Sequence, residues 1–401
     1  MNLIYHTIII GAGQFGISLS CKLQDQKHNH IVLEKDSIGS TWIKQRWDSF
    51  RLVTPKIMNT IERGDQYFSN HSEYLTAQEF QKYLVDKSKE RNLPVMENHE
   101  VRKVQKNEKG EFELSVFYND LEINLKCKNL VIASGSLNQK YIPVFDLSLH
   151  DEINQLHSSE YKNLNDIQNG NTVVVGSGQS GMQLAEEISS KSNVILLTSK
   201  VGRIPRTYLK NNIEEWFIRL KNYEKTYSDS SLDERNETTP GVINENIYMD
   251  YEVKNRNIEL AGSLKEITND ALILNYDLDA NLSFQEKYFT NTLLVIDGEL
   301  KLKKKSNVNF PHANYLKSYN QTIKLSEQKI KNIVWATGFK AKFSFLNLDV
   351  FDEQGKLIHK NGISEIKGLY FLGLPWMRKR KSGIIYGVDE DSNFIAQHLI
   401  T

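Results

Sequence analysis

The sequence predicts an α/β fold with two Rossmann-like domains. Two stretches carry this prediction, because each places a short β-branched strand before a Gly-x-Gly-x-x-Gly turn and the start of a helix; they span residues 7–23 and 172–188. A second strand follows each helix, at residues 31–34 and 194–198. A single glycine motif occurs in many turns, but two motifs in the same context indicate two βαβ units.

Length, composition and charge limit the functions open to the chain. Its 401 residues, 39% of them hydrophobic and 25% charged, suffice for two or three domains at roughly 150 residues each. The 50 basic and 50 acidic residues balance, which argues against a nucleic-acid partner, because such proteins usually carry a basic excess. No apolar run reaches the ~20 residues of a membrane span, and the first strand leads into a glycine motif rather than a signal-peptide cleavage site. We therefore expect a cytoplasmic protein with no membrane partner.

Cysteine usage excludes several kinds of site. The chain has 2 cysteines, Cys21 and Cys127, and neither has a second cysteine nearby. This excludes a disulfide framework, a zinc site and a Cys-x-x-Cys redox pair, and we predict no metal site.

The first glycine motif predicts a site for FAD or NAD. Gly11, Gly13 and Gly16 stand where the backbone must approach a pyrophosphate, whose charge is then stabilised by the helix N-terminus. The second strand ends in Glu34, a carboxylate placed to accept hydrogen bonds from an adenosine ribose. A carboxylate at this position would repel a ribose 2′-phosphate.

The second glycine motif, with Gly176, Gly178 and Gly181, predicts a site for NADPH. Its second strand ends without an acidic residue, in 198–200, and two arginines follow at 203 and 206. Hydroxyl and guanidinium groups are what a ribose 2′-phosphate needs. Ordinary surface charges are the alternative for the two arginines.

Hydrophobic periodicity predicts the remaining elements. We expect an amphipathic helix over 75–89, alternating strands over 101–104, 112–117 and 123–126, a strand over 369–372 and a closing helix over 389–399. Two similar strands, 130–135 and 333–338, end in small residues, where the backbone can approach another segment or a cofactor closely.

The stretch from about residue 207 to 311 is polar and has no glycine motif. Ile213, Trp216, Phe217 and Leu220 follow helical spacing there. A helix packed on its own domain is the simpler interpretation, and a lid or dimer surface is the alternative.

Two basic runs, at residues 301–305 and 378–381, are expected to be solvated faces. The alternative for the second run is that it raises the local potential for an anionic substrate or for NADPH.

Further motifs follow one another along the chain: EKDSIGSTW (34–42), WDSFRLVTP (47–55), HSSEY (157–161), WATGF (335–339), LGLPW (372–376) and KSG (381–383). Together with the glycine motifs they resemble the class B flavin-dependent monooxygenases, the flavin-containing monooxygenase and Baeyer–Villiger group, and within it the bacterial CzcO-like flavoproteins. The resemblance implies a glutathione-reductase-like two-domain flavoprotein. Its discontinuous FAD-binding domain (1–160 and 312–401) would enclose an NADPH-binding domain (161–311), with the polar extension from about 207 to 311.

The resemblance assigns cofactor contacts residue by residue. It implies FAD contacts at Gly11, Gly13, Gln14, Gly16, Glu34, Lys35, Thr41, Trp42, Thr54 and Val101. The predicted NADPH contacts are Gly176, Gly178, Gln179, Ser180, Gly181, Ser199, Lys200, Arg203 and Arg206. Thr337 and Gly338 would belong to the strand that links the domains. For Trp42 and its neighbour Trp47, a pair of core aromatics is the alternative.

Two catalytic candidates follow from the resemblance, and each departs from the family pattern. The Baeyer–Villiger fingerprint is incomplete: His157 and Tyr161 are present, but Asp151 and Ile153 replace its Phe and Gly. Many flavin-containing monooxygenases carry an asparagine against the flavin where this chain has Pro55, so Asn59 is the candidate. The simpler role for His157 is a hydrogen bond at a domain interface.

The resemblance implies an NADPH-dependent FAD monooxygenase. NADPH would reduce FAD, and NADP+ would stay bound to shield a C4a-(hydro)peroxyflavin formed with O2. One oxygen atom would then pass to a small-molecule substrate, with N- or S-oxygenation favoured. A homodimer is an assembly that the sequence leaves open.

Two other functions stay open at this point. An NADPH oxidase or flavin reductase would release H2O2 or pass electrons to a partner, and the Pro55 departure keeps this alternative in play. A nucleotide-binding regulatory protein without turnover is the alternative from another class.

Overall fold

Two mainly parallel sheets organise the chain, as the paired glycine motifs predicted. The computed structural model describes residues 4–68, 74–145, 152–231, 241–243, 257–301 and 316–400. Within these ranges the helices are Gln14–Asp25, Ser40–Lys44, Ala77–Glu90, Gln179–Ile188, Ile213–Arg219, Leu278–Glu299 and Val388–Ile400. None of them is both long and apolar enough to cross a membrane.

The first sheet is centred on the strand Ile4–Ile10, whose last four residues are buried. Its strand order is Val95–Met96, His30–Leu33, Ile4–Ile10, Leu121–Ile132, Phe112–Tyr118 and Glu100–Lys106, and Leu369–Phe371 also pairs with Leu121–Ile132. The strands on either side of Ile4–Ile10 are parallel to it. The last three strands of the order form an antiparallel meander, as their alternating pattern predicted.

Helices cover this sheet, and one of them begins within the first glycine motif. Gln14–Asp25 starts directly after Gly13 and packs against the C-terminal helix Val388–Ile400. The predicted helix at 75–89 is Ala77–Glu90, and Thr76 and Glu79 form a capping box at its start. The Glu79 N–H donates to Thr76 Oγ1 at 3.1 Å, and the Thr76 N–H donates to the Glu79 carboxylate at 2.8 Å.

The second sheet consists of six parallel strands. Their order is Leu316–Lys317, Ile258–Ala261, Val194–Leu197, Asn171–Val175, Ile330–Trp335 and Asn154–His157. A smaller antiparallel sheet of Leu264–Ile267, Ala271–Leu274 and Thr322–Lys324 packs on it through a shared core.

The domain boundaries predicted at 160/161 and 311/312 need correction. The strand Asn154–His157 pairs with Ile330–Trp335, which in turn pairs with Asn171–Val175. Residues 154–157 and 316–335 therefore belong to the second sheet, although the sequence analysis assigned them to the FAD-binding domain. The local pattern identified a buried strand at 333–338, but which sheet a strand joins depends on partners far away in sequence.

The polar extension contains more regular structure than its sequence suggested. A helix at Ile213–Arg219 places Trp216 in a cluster with Phe289, Leu293 and Ile296 of the 22-residue helix Leu278–Glu299. This packing confirms the simpler interpretation of the 213–220 pattern. The long helix itself was missed, although its buried positions recur at steps of three and four residues. Most of the basic run at 301–305 lies outside the described residues.

Candidate functional site

A cavity of about 1270 Å³ lies between residues of both domains. It exceeds the roughly 300–1,000 Å³ of ordinary ligand pockets, which suits a large or compound ligand. Of the predicted FAD contacts, the cavity is lined by Gly11, Gly13, Gln14, Glu34, Lys35, Thr41, Trp42, Thr54 and Val101. Of the predicted NADPH contacts, Gln179 and Ser180 line it.

The first glycine loop, residues 11–16, assigns different tasks to its three glycines. Gly11 has φ +106°, and a Cβ there would lie 2.7 Å from the carbonyl oxygen of Ala133. A Cβ on Gly16 would lie 1.9 Å from the Gly11 carbonyl oxygen. Gly13 has no atom within 4 Å of its Cβ position, and it faces the cavity. The fold itself therefore requires the first and third glycines, whereas the open space at Gly13 is a cradle for a ligand.

The second glycine loop, residues 176–181, repeats this geometry. A Cβ on Gly176 would lie 2.7 Å from the Ala336 carbonyl oxygen, and a Cβ on Gly181 would lie 1.9 Å from the Gly176 carbonyl oxygen. The Cβ position of Gly178 is open. Ala133 and Ala336 belong to the two similar strand ends that were predicted as sites of close backbone approach, and they do meet the glycine loops.

Glu34 directly follows the strand His30–Leu33 and is hydrogen-bonded to the first glycine loop. Its carboxylate accepts hydrogen bonds from the backbone N–H groups of Ala12 (2.8 Å) and Asp36 (3.0 Å). The residue is 9% exposed and lines the cavity, and burial raises the pKa of its carboxyl group. This position fits a group that holds the loop and also offers oxygen atoms to a ribose.

Trp42 is a cavity residue as well as a core aromatic. Its indole Nε1–H donates to Gln14 Oε1 at 3.2 Å, and both side chains line the cavity. The ring also packs edge-on against Phe80, with centroids 5.0 Å apart. Trp47, by contrast, is 3% exposed and belongs to the core of the second domain.

Arg46 is a cavity residue that the sequence analysis missed. Its guanidinium lies near the rings of Trp42 (5.5 Å), Phe50 (5.3 Å) and Phe339 (5.9 Å). It donates to the Gln45 carbonyl oxygen at 2.8 Å, and no carboxylate in the described ranges lies within 4.0 Å of it. Burial lowers its pKa to about 10. A desolvated cation of this kind favours an anionic ligand, such as a phosphate.

Lys162, which follows the HSSEY motif, links the second domain to the chain around Arg46 (residues 43–50, the Arg46 loop). The Lys162 ammonium donates to the carbonyl oxygens of Ile43 (2.9 Å), Lys44 (2.7 Å) and Arg46 (2.8 Å). These carbonyls stand at the C-terminal end of the short helix Ser40–Lys44, where a positive charge is favourable. Tyr161 adds a hydrogen bond of 2.8 Å to Glu187 of the second domain.

Asn59 is fully buried and does not line the cavity. Its side-chain amide donates to the carbonyl oxygens of Thr54 (2.9 Å) and Pro55 (3.1 Å), and its carbonyl oxygen accepts from Thr54 Oγ1 (2.6 Å). Asn59 thus shapes the turn that presents Thr54 to the cavity. Its predicted catalytic role stays a prediction, and the geometry makes it a positioning residue.

His157 lies at the junction between the domains and also outside the cavity lining. Its Nε2 lies 2.9 Å from the Gly338 carbonyl oxygen, and its Nδ1 accepts from the Ser159 N–H at 3.1 Å. These partners assign the proton to Nε2, and burial lowers the pKa of the ring. The arrangement is that of a neutral histidine at a domain interface, which was the simpler interpretation.

The residues predicted to bind the ribose 2′-phosphate lie in two different parts of the structure. Ser199 is at the second glycine loop, where its N–H donates to Ser177 Oγ at 3.0 Å. Arg203 is 1% exposed and donates one Nη to the Ser177 carbonyl oxygen, and its Nε and other Nη have no hydrogen-bond partner among the described residues. Lys200 lies beside that loop in sequence, with its ammonium 5.1 Å from the Phe284 ring centroid.

Arg206 is a correction to the sequence analysis. It donates to the Val53 carbonyl oxygen at 2.7 Å and stacks on Tyr74 at 4.2 Å, so it faces the first domain rather than the second glycine loop. The reason is the short strand Arg203–Pro205: Arg203 begins it, and Arg206 follows its far end.

Thr337 and Gly338 lie in the turn between the strands Ile330–Trp335 and Phe339–Lys340, and they do not line the cavity. Thr337 Oγ1 donates to the Tyr141 carbonyl oxygen, and the Gly338 carbonyl accepts from the Tyr141 N–H at 3.0 Å. The adjoining pairs Gln139–Lys140 and Phe339–Lys340 form a small antiparallel ribbon.

The basic run at 378–381 is not a solvated face, which corrects that expectation. Lys379 and Lys381 are held between Glu224 (2.6 and 2.5 Å) and Glu390 (2.8 and 2.6 Å), and Lys381 is 8% exposed. Glu224 comes from the polar extension, and Glu390 from the start of the C-terminal helix. The run therefore forms an ionic clasp between the two domains at one end of the cavity.

Comparisons with known proteins agree with this architecture. A sequence profile of the family described as pyridine nucleotide-disulphide oxidoreductase matches residues 8–266. The uncharacterized oxidoreductase CzcO of Bacillus velezensis is 30% identical over 399 residues, which cover 99% of each chain. This match confirms the CzcO-like resemblance of the motifs.

Solved structures share the fold over the whole chain. The flavin-containing monooxygenase from Stenotrophomonas maltophilia has a TM-score of 0.69 at 16% identity, over 100% of this chain and 99% of that one. The bacillithiol disulfide reductase from Bacillus cereus has a TM-score of 0.63 at 17% identity, over 99% of each chain. At such identities the likeness shows the fold alone, and it confirms the predicted two-domain α/β class.

Proposed function

The chain belongs to the pyridine nucleotide-disulphide oxidoreductase family, and we propose that it is an NADPH-dependent FAD monooxygenase acting on a small-molecule substrate. The observation that carries the proposal is the pair of glycine loops. Each loop has open space at the Cβ position of its second glycine, and residues of both loops line one cavity between the domains. Cys21 and Cys127 are both buried, and burial raises the pKa of each to about 12, so neither suits thiol–disulfide exchange.

The residues of the first domain fit FAD. The cradle at Gly13 accommodates a pyrophosphate at the N-terminus of Gln14–Asp25, and Glu34 faces the cavity where an adenosine ribose needs an acceptor. The other predicted FAD contacts that line the same cavity are Lys35, Thr41, Trp42, Thr54 and Val101.

The residues of the second domain fit NADPH. Gly178 offers the matching cradle, and Gln179 and Ser180 begin the helix that extends to the cavity. Arg203 supports the 2′-phosphate assignment, because a buried guanidinium with unpaired donors at this loop is costly until an anion binds. Arg46 adds a positive charge to the lining of the same cavity.

Bound FAD would supply the hydride acceptor and the centre that reacts with O2. The protein would bind and orient the two nucleotides, and the clamp through Lys162 and the clasp through Glu224 hold the two domains together around the cavity. Aromatic walls such as Phe50, Phe217 and Tyr386 suit an uncharged soft nucleophile, an amine nitrogen or a sulfur atom. N- or S-oxygenation is therefore the favoured reaction.

A transient-kinetic experiment tests the proposal. The FAD-loaded protein is reduced with NADPH under anaerobic conditions and mixed with ¹⁸O2 and a panel of thioethers and tertiary amines. We expect rapid bleaching of the flavin by NADPH, ¹⁸O in at least one product, and less H2O2 than NADPH consumed. Failure of NADPH to bleach the flavin would refute the proposal.

An NADPH oxidase or flavin reductase is the second candidate, and one observation favours it. The amide of Asn59 is fully engaged with Thr54 and Pro55, so it is not directed at the cavity. Peroxide equal to the NADPH consumed, with no ¹⁸O in any product, would support this candidate over the monooxygenase.

A further inference from the structure

The long helix Leu278–Glu299 lies along the loop 198–202, which follows the strand Val194–Leu197 of the second βαβ unit. Its contacts with this loop come from side chains spaced one helical turn apart. They are Asn281 to Thr198 Oγ1 (3.3 Å), the Phe284 ring centroid to the Lys200 ammonium (5.1 Å), and the Tyr288 ring to Gly202. The helix therefore forms a wall of the region where the sequence predicts the ribose 2′-phosphate of NADPH.

Phe284 presents a half-buried aromatic ring at this wall. The ring lies 6.3 Å from that of Tyr288, at an angle of 43°, and the Lys200 ammonium lies over it. Other side chains anchor the helix in the two neighbouring cores, among them Leu282, Phe289 and Leu293. The exposed part of the Phe284 ring is therefore a surface suited to a flat ligand group.

Lys200 is an exposed residue, and no carboxylate in the described ranges lies within 4.0 Å of its ammonium. Its contact there is the face of the Phe284 ring. A cation over an aromatic ring is held weakly at an exposed site, and the flexible four-carbon stem of a lysine lets the ammonium move away. The ammonium can therefore bind an incoming anion, and its departure uncovers the ring.

Arg203 gives independent evidence that an anion binds at this loop. The residue is 1% exposed, and its Nε and one Nη have no hydrogen-bond partner among the described residues. Its other Nη donates to the Ser177 carbonyl oxygen, and the Ser177 hydroxyl lies 3.3 Å from that of Ser199. A buried guanidinium with unpaired donors is costly until an anion reaches it. The loop thus combines cations with hydroxyl groups, which is the composition of a phosphate site.

We propose that Phe284 binds the adenine of NADPH by stacking, and that Lys200 moves from the ring to the 2′-phosphate as the nucleotide binds. The inference rests on the proposed function and assigns the adenosine half of its NADPH site. In NADPH the base is attached to C1′ of the ribose and the phosphate to C2′, so base and phosphate are neighbours. Phe284 and Lys200 are neighbours in the same way, and an aromatic face stacks on any base.

The direction of the dinucleotide agrees with this assignment. The described residues that line the cavity include Gln179 and Ser180 but neither Lys200 nor Phe284. With the pyrophosphate at the Gly178 cradle, the nicotinamide half would enter the cavity, and the adenosine half would lie outside it against the long helix. Different parts of the chain thus bind the two halves.

Calorimetry on the oxidised, FAD-loaded protein tests the proposal without turnover. The probes are NADP+, NAD+ and 2′,5′-ADP, because all three carry adenine and only NAD+ lacks the 2′-phosphate. Phe284→Leu should weaken all three by a similar factor, at least about fivefold, as for a lost stack between a base and an aromatic ring. Phe284→Tyr retains the ring and should bind them as the wild type does. Absence of NADP+ binding to the wild type would overturn the proposal.

Lys200→Met tests the phosphate contact separately. It should weaken NADP+ and 2′,5′-ADP at least about fivefold and leave NAD+ unchanged, because only the first two carry the anion that the ammonium binds. Lys287→Met is the matched control, since it removes an exposed positive charge from the same helix, one turn from Phe284. Circular dichroism and the FAD content check that each variant is folded.

Stacking on Phe284 is refuted if Phe284→Leu binds the probes as the wild type does, or if Phe284→Tyr loses as much affinity as Phe284→Leu. The movement of Lys200 is refuted if Lys200→Met leaves NADP+ unchanged, weakens NAD+ equally, or has no larger effect than Lys287→Met.

This inference and the monooxygenase proposal fail in distinguishable ways. Flavin bleaching by NADPH and ¹⁸O incorporation are recorded on the wild-type protein. If both occur but the Phe284 variants all bind alike, stacking is refuted and the monooxygenase proposal stands. If the variants show the expected losses but no ¹⁸O enters any product, the assigned NADPH contacts stand and the monooxygenase proposal fails.

Discussion

The glycines of the first loop are of two kinds: two that the fold requires and one that leaves space for a ligand. Gly11 and Gly16 leave no room for a Cβ atom because other backbone atoms occupy that space. Gly13 has open space and a φ of −78°, which any residue adopts. The sequence motif makes the three glycines look equivalent, and the structure shows two different constraints.

Gly13→Ala should therefore fold normally and lose FAD, whereas Gly16→Ala should fail to fold stably. The added methyl group at position 13 enters the ligand cradle, but at position 16 it meets the Gly11 carbonyl oxygen at 1.9 Å. We expect little change in the free energy of unfolding of the first apoprotein, and a loss of about 3 kcal/mol or more in the second, as for severe overpacking. Urea denaturation and the FAD-to-protein absorbance ratio measure the two effects.

Gly178→Ala is the control for site identity. It should retain FAD and weaken NADPH, because its cradle belongs to the second loop. Retention of FAD by Gly13→Ala would contradict the assignment of the first loop.

His28 predicts a pH dependence of stability. Burial, with His6 and His30 nearby, lowers its pKa from 6.5 to about 4. Between these values the unfolded chain binds more protons than the folded one, so the contribution of His28 is complete above pH 6.5 and is lost as the pH falls toward 4. His28→Gln should reduce the loss of unfolding free energy between pH 7.5 and 4.5. An identical pH profile in the variant would refute this origin.

At the scale of elements, short segments between the sheets position charged side chains that line the cavity. The loop after Ser40–Lys44 carries Arg46 and is fastened by Lys162 of the second domain. The helix Ile213–Arg219 packs on the long helix Leu278–Glu299 through Trp216 and presents Glu214 to the cavity. Each segment belongs to one domain, and it contributes residues to a cavity that the other domain also lines.

Lys162→Met should loosen the Arg46 loop without unfolding either domain. It removes three hydrogen bonds to carbonyl oxygens at a helix C-terminus, and we expect a loss of about 1–3 kcal/mol in stability. Hydrogen exchange over residues 43–50 should rise. Lys191→Met is the matched control, because Lys191 makes the same kind of bonds, to Leu164 (2.8 Å) and Ile167 (2.7 Å), within the second domain alone. Equal exchange in the two variants would contradict the clamp.

At the scale of the whole molecule, two repeated half-sites share one cavity, and the thiols lie away from it. Cys21 and Cys127 are 0% exposed in the core of the first domain, and neither lines the cavity. The proposed electron transfer between the two nucleotides would therefore need no thiol.

Neither thiol should react with Ellman's reagent in the folded protein, and both should react in guanidinium chloride. Burial raises the pKa of each to about 12, so almost no thiolate exists near neutral pH. The double variant Cys21→Ala, Cys127→Ala should keep the rate of flavin bleaching by NADPH. Loss of bleaching in a variant that still binds FAD would show that a thiol takes part.

Features encoded by short stretches of sequence could be predicted, whereas features that depend on contacts between distant segments could not. The strands around residues 8 and 173 were predictable, because runs of β-branched residues next to glycine turns encode them locally. The helix Leu278–Glu299 was missed because polar residues interrupt its apolar stripe, and only tertiary contacts make that stripe a core. Arg206 was placed at the wrong site because distance along the chain is a poor guide to position after a short strand.

The two glycine loops, the acidic end of the first βαβ unit and the non-acidic end of the second could be identified from the sequence, because each is a short-range pattern. The packed fold was needed to show that Arg46, Glu214 and Arg380 line one cavity, that residues 154–157 and 330–335 belong to the second sheet, and that the 378–381 run is a clasp. These features depend on contacts between segments far apart in the chain. Their energies come from burial and charge pairing, which exist only once the two domains have packed.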